Sequence, residues 1–153
     1  MSKEVRQLTE RIVDNPVIDY PNQNIKDSGD AGKFLEKFFI NNPHTDNAED
    51  IRGLEFKTKN IKAKSKDISL ASYKNPKNAL NRTFNKIKNR LGLYEYEIKN
   101  KKIIVIRYSI FQKCNRDNFK RLVRPISGSK DFSYSVNSET LSFMYNSIET
   151  IIA

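Results

Sequence analysis

Apolar residues recur along this chain in helical and strand-like rhythms. Over residues 3–13, Val5, Leu8, Ile12 and Val13 fall near one face of a 3.6-residue period, which predicts an amphipathic helix ended by Asn15-Pro16. The polar stretch 21–30 offers Asp27, Ser28 and Asp30 as N-caps for a second helix, residues 31–40. Phe34, Leu35, Phe38 and Phe39 form its apolar face, and Asn41-Asn42-Pro43 stops it. After Asn75-Pro76 a third helix is predicted, with Leu80, Phe84, Ile87 and Leu91 as its buried stripe, most of its basic residues elsewhere, and Gly92 as its C-cap.

Other segments alternate with a period of two. Residues 53–58 (GLEFKT) read as a half-buried strand, and 132–136 (FSYSV) as another. Residues 93–98 and 102–111 form a hairpin or two adjacent strands across Asn100-Lys101, with Ile103 to Ile106 as a strand covered on both sides. The end of the chain, 138–152, spaces Leu141, Met144, Tyr145, Ile148, Ile151 and Ile152 as a final helix would. The pattern is mixed α and β (an α/β or α+β class), with helices available to cover both faces of a sheet. A length of 153 residues with 37% hydrophobic content fits one domain over 1–153.

Composition narrows the chemistry. One cysteine (Cys114) and one histidine (His44) exclude a Cys/His zinc cluster, a disulfide framework and a two-histidine acid/base pair, so any metal is held mainly by oxygen. No segment approaches the roughly 20 apolar residues that span a bilayer, and the polar N-terminus lacks the apolar core of a signal peptide. A soluble cytoplasmic protein with a reduced Cys114 is expected.

The formal charge is +10, which favours a polyanionic partner, nucleic acid first. Its distribution says more. Residues 1–56 carry 7 basic and 11 acidic groups, residues 57–90 carry 11 and 1, and residues 91–153 carry 10 and 6. An acidic stretch followed by a basic one can hold a cation and a phosphate backbone side by side. A solvated lysine-rich face is the plainer reading of the same numbers.

Candidate chemistry gathers between Glu36 and Lys57. On a strand over 53–58, Glu55 and Lys57 share one side while Leu54 and Phe56 face the core. A change of direction at Gly53 could bring the Asp50 carboxylate beside Glu55, giving two converging oxygen ligands suited to Mg²⁺. Lys57 would orient an attacking water or stabilise the transition state, and Glu36 could ligate the metal if its helix packs against this strand. Individually these residues also read as a surface ion pair, a turn former and a solvated helix residue.

In order and spacing the same residues resemble the PD-(D/E)XK nuclease superfamily, specifically its MutH-like restriction endonuclease branch. The matching text is Gly32-Lys33-Phe34-Leu35-Glu36, Asn41-Asn42, Asp50, and Gly53-Leu54-Glu55-Phe56-Lys57-Thr58, about 30 residues in all. Glu49 stands where a proline often precedes the aspartate, and Phe56 where an aliphatic residue is usual. The resemblance implies a restriction-endonuclease-like core with a central mixed sheet flanked by helices. It also implies Asp50, Glu55 and Glu36 at a Mg²⁺ (or Mn²⁺) site, Lys57 as the catalytic lysine, and Lys102 as an additional catalytic candidate.

The expected activity is a Mg²⁺-dependent DNA endonuclease acting on double-stranded DNA. Lys59, Lys62, Lys64, Lys66, Lys74, Lys77, Arg82, Lys86, Lys88 and Arg90 would neutralise flanking phosphates. Cutting both strands calls for a homodimer, which the terminal apolar helix could serve, or for sequential nicking. The alternatives are a non-catalytic nucleic-acid-binding module, such as a nuclease-fold subunit of a larger assembly, and an interaction protein with an acidic partner.

Overall fold

The computed structural model describes residues 2–21, 28–40 and 49–153. Asp27, the Asn41-Asn42-Pro43 stop, His44 and Asp46 fall outside them. The first helix, α1 (Lys3–Asp14), is capped by Ser2, whose hydroxyl accepts from the Val5 N–H at 3.3 Å. A short strand β1 (Val17–Asp19) leads to α2 (Ser28–Phe39), then come β2 (Glu55–Asn60), β3 (Asp67–Tyr73) and α3 (Ala79–Ile87). The hairpin is β4 (Arg90–Lys99) and β5 (Lys102–Cys114). It turns on Asn100 and Lys101 at φ 52° and 61°, the left-handed pair that a two-residue loop needs to match strand twist. After α4 (Arg116–Leu122) come β6 (Arg124–Pro125), β7 (Phe132–Asn137), α5 (Leu141–Met144) and β8 (Tyr145–Ile152).

The central sheet is mixed, in the order β1-β5-β4-β2 with β8 also paired to β5. Only β2 and β4 run parallel in it among the described pairs, with Glu55 opposite Leu91 and Lys59 opposite Glu95. A smaller antiparallel sheet has the order β3-β7-β6. Alternation divides the core. Phe56, Tyr94, Tyr96, Tyr108 and Ile110 point to one face, where Val5, Leu8 and Ile12 of α1 and Ala31, Leu35 and Phe39 of α2 cover them. Leu91, Leu93 and Phe111 point to the other, against α3, α4, α5 and the smaller sheet.

Three expectations change. The terminal helix stops at Met144 and the chain continues as β8, so the proposed helical dimer face does not form. Half of one β5 edge would otherwise carry unpaired backbone groups; β8 closes it from Tyr108↔Ile152 to Cys114↔Tyr145, using β-branched and aromatic residues that suit a strand. The third helix ends at Ile87, which moves Leu91 and Gly92 into β4. Gly92 serves close packing there, since a Cβ would lie 2.8 Å from the Tyr108 hydroxyl and 3.2 Å from Leu54 Cδ2. Finally, β1, β3, α4 and β6 have no counterpart among the predicted elements. β3 lay within the run treated as basic, and its Ile68, Leu70 and Tyr73 are buried.

Gly92→Ala is expected to destabilise the protein by about 1–3 kcal/mol through overpacking, measured by denaturant unfolding. Adding Tyr108→Phe removes the nearest atom and should recover part of the loss; full stability in the single variant would contradict the close-packing account.

Candidate active site

Asp50 and Glu55 are brought together by a tight reversal. Ile51 and Leu54 exchange backbone hydrogen bonds at 3.2 and 3.1 Å, with Arg52-Gly53 between them and Gly53 at φ 87°. Glu49 accepts the Gly53 N–H at 2.9 Å and Glu4 of α1 accepts the Arg52 N–H at 3.1 Å, which anchors the turn. Across it the two acids lock reciprocally: Glu55 Oε1 accepts the Asp50 N–H at 3.0 Å, and Asp50 Oδ2 accepts the Phe56 N–H at 2.9 Å.

Glu55 has no solvent exposure and Asp50 is 7% exposed. The second oxygen of Glu55 makes no hydrogen bond of good geometry and is met by two ammonium groups, Lys57 at 3.5 Å and Lys86 at 3.2 Å. Burial raises the Glu55 pKa to about 7, with Asp50 adding to the rise and both lysines opposing it. Glu36 of α2 is half-buried and its pKa is also raised, by burial first and then by the Asp50 charge, with Lys57 and Lys86 opposing the rise. Lys86 loses solvation, which lowers its pKa, but the Glu55 carboxylate outweighs this and the net shift is upward.

Glu36, Asp50, Glu55 and Lys57 therefore converge. Lys86 joins them from the C-terminal end of α3, although the sequence placed it only among the phosphate-binding lysines. A signal was present: Lys86 stands three residues after buried Thr83 and beside buried Ile87, on the border of the apolar stripe rather than opposite it. Lys102 does not join. It sits at the hairpin end of β5, opposite Lys99 and paired to Asp19 at 2.6 Å, while the site lies at Leu91, eight residues away along β4. At about 3.3 Å per residue that is about 26 Å.

A cleft of about 450 Å³ opens beside these groups, lined by Lys33 and Glu36 of α2, Lys57 and Lys59 of β2, and Asp67 and Ser69 of β3. Lys59 donates to the Asp67 carbonyl at 2.7 Å, and burial lowers its pKa. Lys62, Lys64, Lys66, Lys74, Lys77 and Lys88 are exposed. Arg82 and Arg90 are half-buried: the Arg82 guanidinium covers the Tyr73 ring at 4.1 Å and donates to the Asn75 carbonyl.

Among the described residues, no three His, Cys, Asp or Glu side chains form a metal cage by themselves. Mg²⁺ does not need one, because it keeps several waters and takes one or two carboxylates plus substrate oxygen. The donor set here fits that habit: hard oxygens from the interlocked Asp50 and Glu55, with Glu36 nearby, and a buried Glu55 oxygen met only by two lysine ammonium groups. Among the described residues no helix is long and apolar enough to cross a membrane.

The fold is similar to that of the restriction endonuclease MvaI in a complex with its cognate DNA substrate, with a TM-score of 0.65, 14% sequence identity, and coverage of 99% of this chain and 100% of that one. The likeness shows a restriction-endonuclease-like fold. No family model matches the chain, and no curated protein matches it.

A raised acid pKa means that the folded chain holds a proton which the unfolded chain has released, so stability falls as pH rises from about 4.5 toward about 7. Without divalent cations, the melting temperature should decline over this window by the equivalent of up to roughly 3 kcal/mol. Glu55→Gln should flatten that decline, and an unchanged slope in the variant would remove Glu55 as its source.

Proposed function

We propose that residues 1–153 form a single nuclease domain, a Mg²⁺-dependent DNA endonuclease of restriction type in the MutH-like branch of the PD-(D/E)XK superfamily, acting on double-stranded DNA in the cytoplasm. One observation carries the reading: the interlocked Asp50 and Glu55 carboxyls stand beside Glu36 and under two lysines, on a strand bordering an open cleft. The restriction-endonuclease-like fold supports it.

Asp50, Glu55 and Glu36 would hold Mg²⁺, or Mn²⁺ in its place, which supplies a Lewis acid for the phosphoryl oxygen and a lowered pKa for bound water. The chain's own groups do the rest. The reciprocal hydrogen bonds fix both carboxyls before substrate arrives, so no reorganisation is needed when charge develops. Lys57, on the same side of β2 as Glu55, orients the attacking water or faces the phosphorane. Lys86 adds a second positive charge from α3, suited to the non-bridging or leaving oxygen. Around them Lys59 and the exposed lysines neutralise flanking phosphates, which positions DNA without reading its sequence. One site cuts one strand, so a double-strand break needs a homodimer or two successive nicks.

Supercoiled plasmid with Mg²⁺ or Mn²⁺ tests the proposal. Asp50→Ala and Lys57→Ala should lower the nicking rate by at least about 10³-fold, and Lys86→Ala by about 10- to 100-fold. Lys102→Ala should stay near wild type. Cleavage by Asp50→Ala at the wild-type rate overturns the assignment, whereas salt-dependent binding with no cleavage in either metal selects the non-catalytic module.

A further inference from the structure

Farther along the same face of the central sheet, beyond the cleft, lies a second polar constellation that the phosphodiester chemistry leaves unused. Glu95 of β4 faces Arg107 of β5 and holds its guanidinium by two parallel hydrogen bonds, Nε to Oε1 at 2.7 Å and Nη2 to Oε2 at 3.0 Å. The carboxylate is 14% exposed and the arginine 53%, so one end of the pair is seated and the other is presented. The register of β4 against β5 shifts immediately after Glu95, a bulge of the kind that re-aims a side chain. An exposed cross-strand pair contributes little to stability. What this one does is fix a plane, with the Nη1 and Nη2 edge pointing away from Glu95.

The location is tied to the site by register. Glu55, Lys57 and Lys59 alternate onto one face of β2, Lys59 lies opposite Glu95, and Glu95 lies opposite Arg107. Two residues along the strand and two strand spacings across put the backbone of Arg107 about 12 Å from that of Lys57, a reach of three to four base pairs in B-form DNA. Lys59 and Asn60 line both the active-site cleft and the adjoining recess of about 230 Å³ that contains Glu95 and Arg107, so the two are continuous.

We propose that Arg107, buttressed by Glu95, reads a guanine in the major groove within about four base pairs of the scissile phosphate. The open guanidinium edge offers two parallel N–H donors, which match the O6 and N7 acceptors that only guanine pairs together there. This rests on the nuclease reading above and adds a specificity-determining contact to it. Lysine is a poorer replacement, because an ammonium is a point charge that Glu95 cannot hold with a fixed bidentate edge.

The test is cleavage of a random duplex pool by the wild-type protein with Mg²⁺, followed by sequencing of the cut ends. Wild-type ends should show guanine at one fixed position within about four base pairs of the cut. Arg107→Lys should weaken that preference by about tenfold or more, Glu95→Gln by less, and 7-deazaguanine at that position should slow the wild type but not Arg107→Lys. Melting curves of the variants establish that they are folded. Cut ends with no positional guanine, or the same preference in folded Arg107→Lys, overturn the guanine contact and leave the nuclease reading standing. A wild type that cuts nothing overturns the nuclease reading instead. Metal-free selection of bound duplexes from the same pool then decides the guanine contact by the same comparison of wild type with Arg107→Lys.

Discussion

A carboxylate taken wholly out of water must be compensated at once or remain protonated, because an isolated buried charge is far more costly than any single hydrogen bond can offset. Glu55 is in that position, with no exposure and with a pKa raised to about 7 even after its compensations are in place. One oxygen is satisfied by the Asp50 backbone, which requires the chain to reverse at Gly53; the other has only the charges of the ammonium groups from β2 and α3 facing it. The turn, the parallel pairing of β2 with β4 and the seat of α3 are therefore coupled through one side chain. Moving any of them takes a partner away from a buried charge.

The position of β2 in its sheet is as important as its residues. As a terminal strand of the described sheet it has α2 on one face and the lysine-bearing α3 on the other, so groups from both layers reach one point. The close approach of α2 makes this feasible: a Cβ on Gly32 would lie only 3.0 Å from Thr58 Oγ1, and Phe39 packs on Phe56 and Tyr94 with ring centroids 6.2 and 5.4 Å apart. With the helix held that near, Glu36 stands close enough to Asp50 for their charges to interact. A bulkier residue at Gly32 would lift the helix and its carboxylate together.

Local rules carried much of this into the sequence. The alternation Leu54-Glu55-Phe56-Lys57 divides cleanly into a buried apolar face and a charged one, because a strand's period depends on backbone geometry alone. The α1 periodicity and the Asn100-Lys101 turn are legible for the same reason. What escaped depends on partners distant in the chain. Residues 145–152 space their apolar positions as a helix would, yet they form β8 because β5 has an open edge to satisfy, a demand not visible within the segment itself. Gly92 resembles a helix stop until Tyr108 and Leu54 are placed around it. Lys86 looked like any other lysine of a basic run, and only the placement of α3 over Glu55 distinguishes it.

The same contrast explains the charge pattern. Fully ionised, Glu36, Asp50 and Glu55 bring three negative charges against the two positive charges of Lys57 and Lys86, so the cluster is short of one cation. In its absence a proton can meet the deficit, and the raised Glu36 and Glu55 pKa values favour that, through burial first and the neighbouring Asp50 charge second. A divalent cation that displaced that proton would turn the cluster from neutral to net positive, able to receive a phosphate. On the proposed nuclease reading, the acidic half of the chain and the basic segment that follows it are two parts of one balance, in which the lysines would attract the backbone and the carboxylates would reserve a place for the ion. Neither part would serve without the other: carboxylates alone repel DNA, and lysines alone hold it without offering a ligand for the metal.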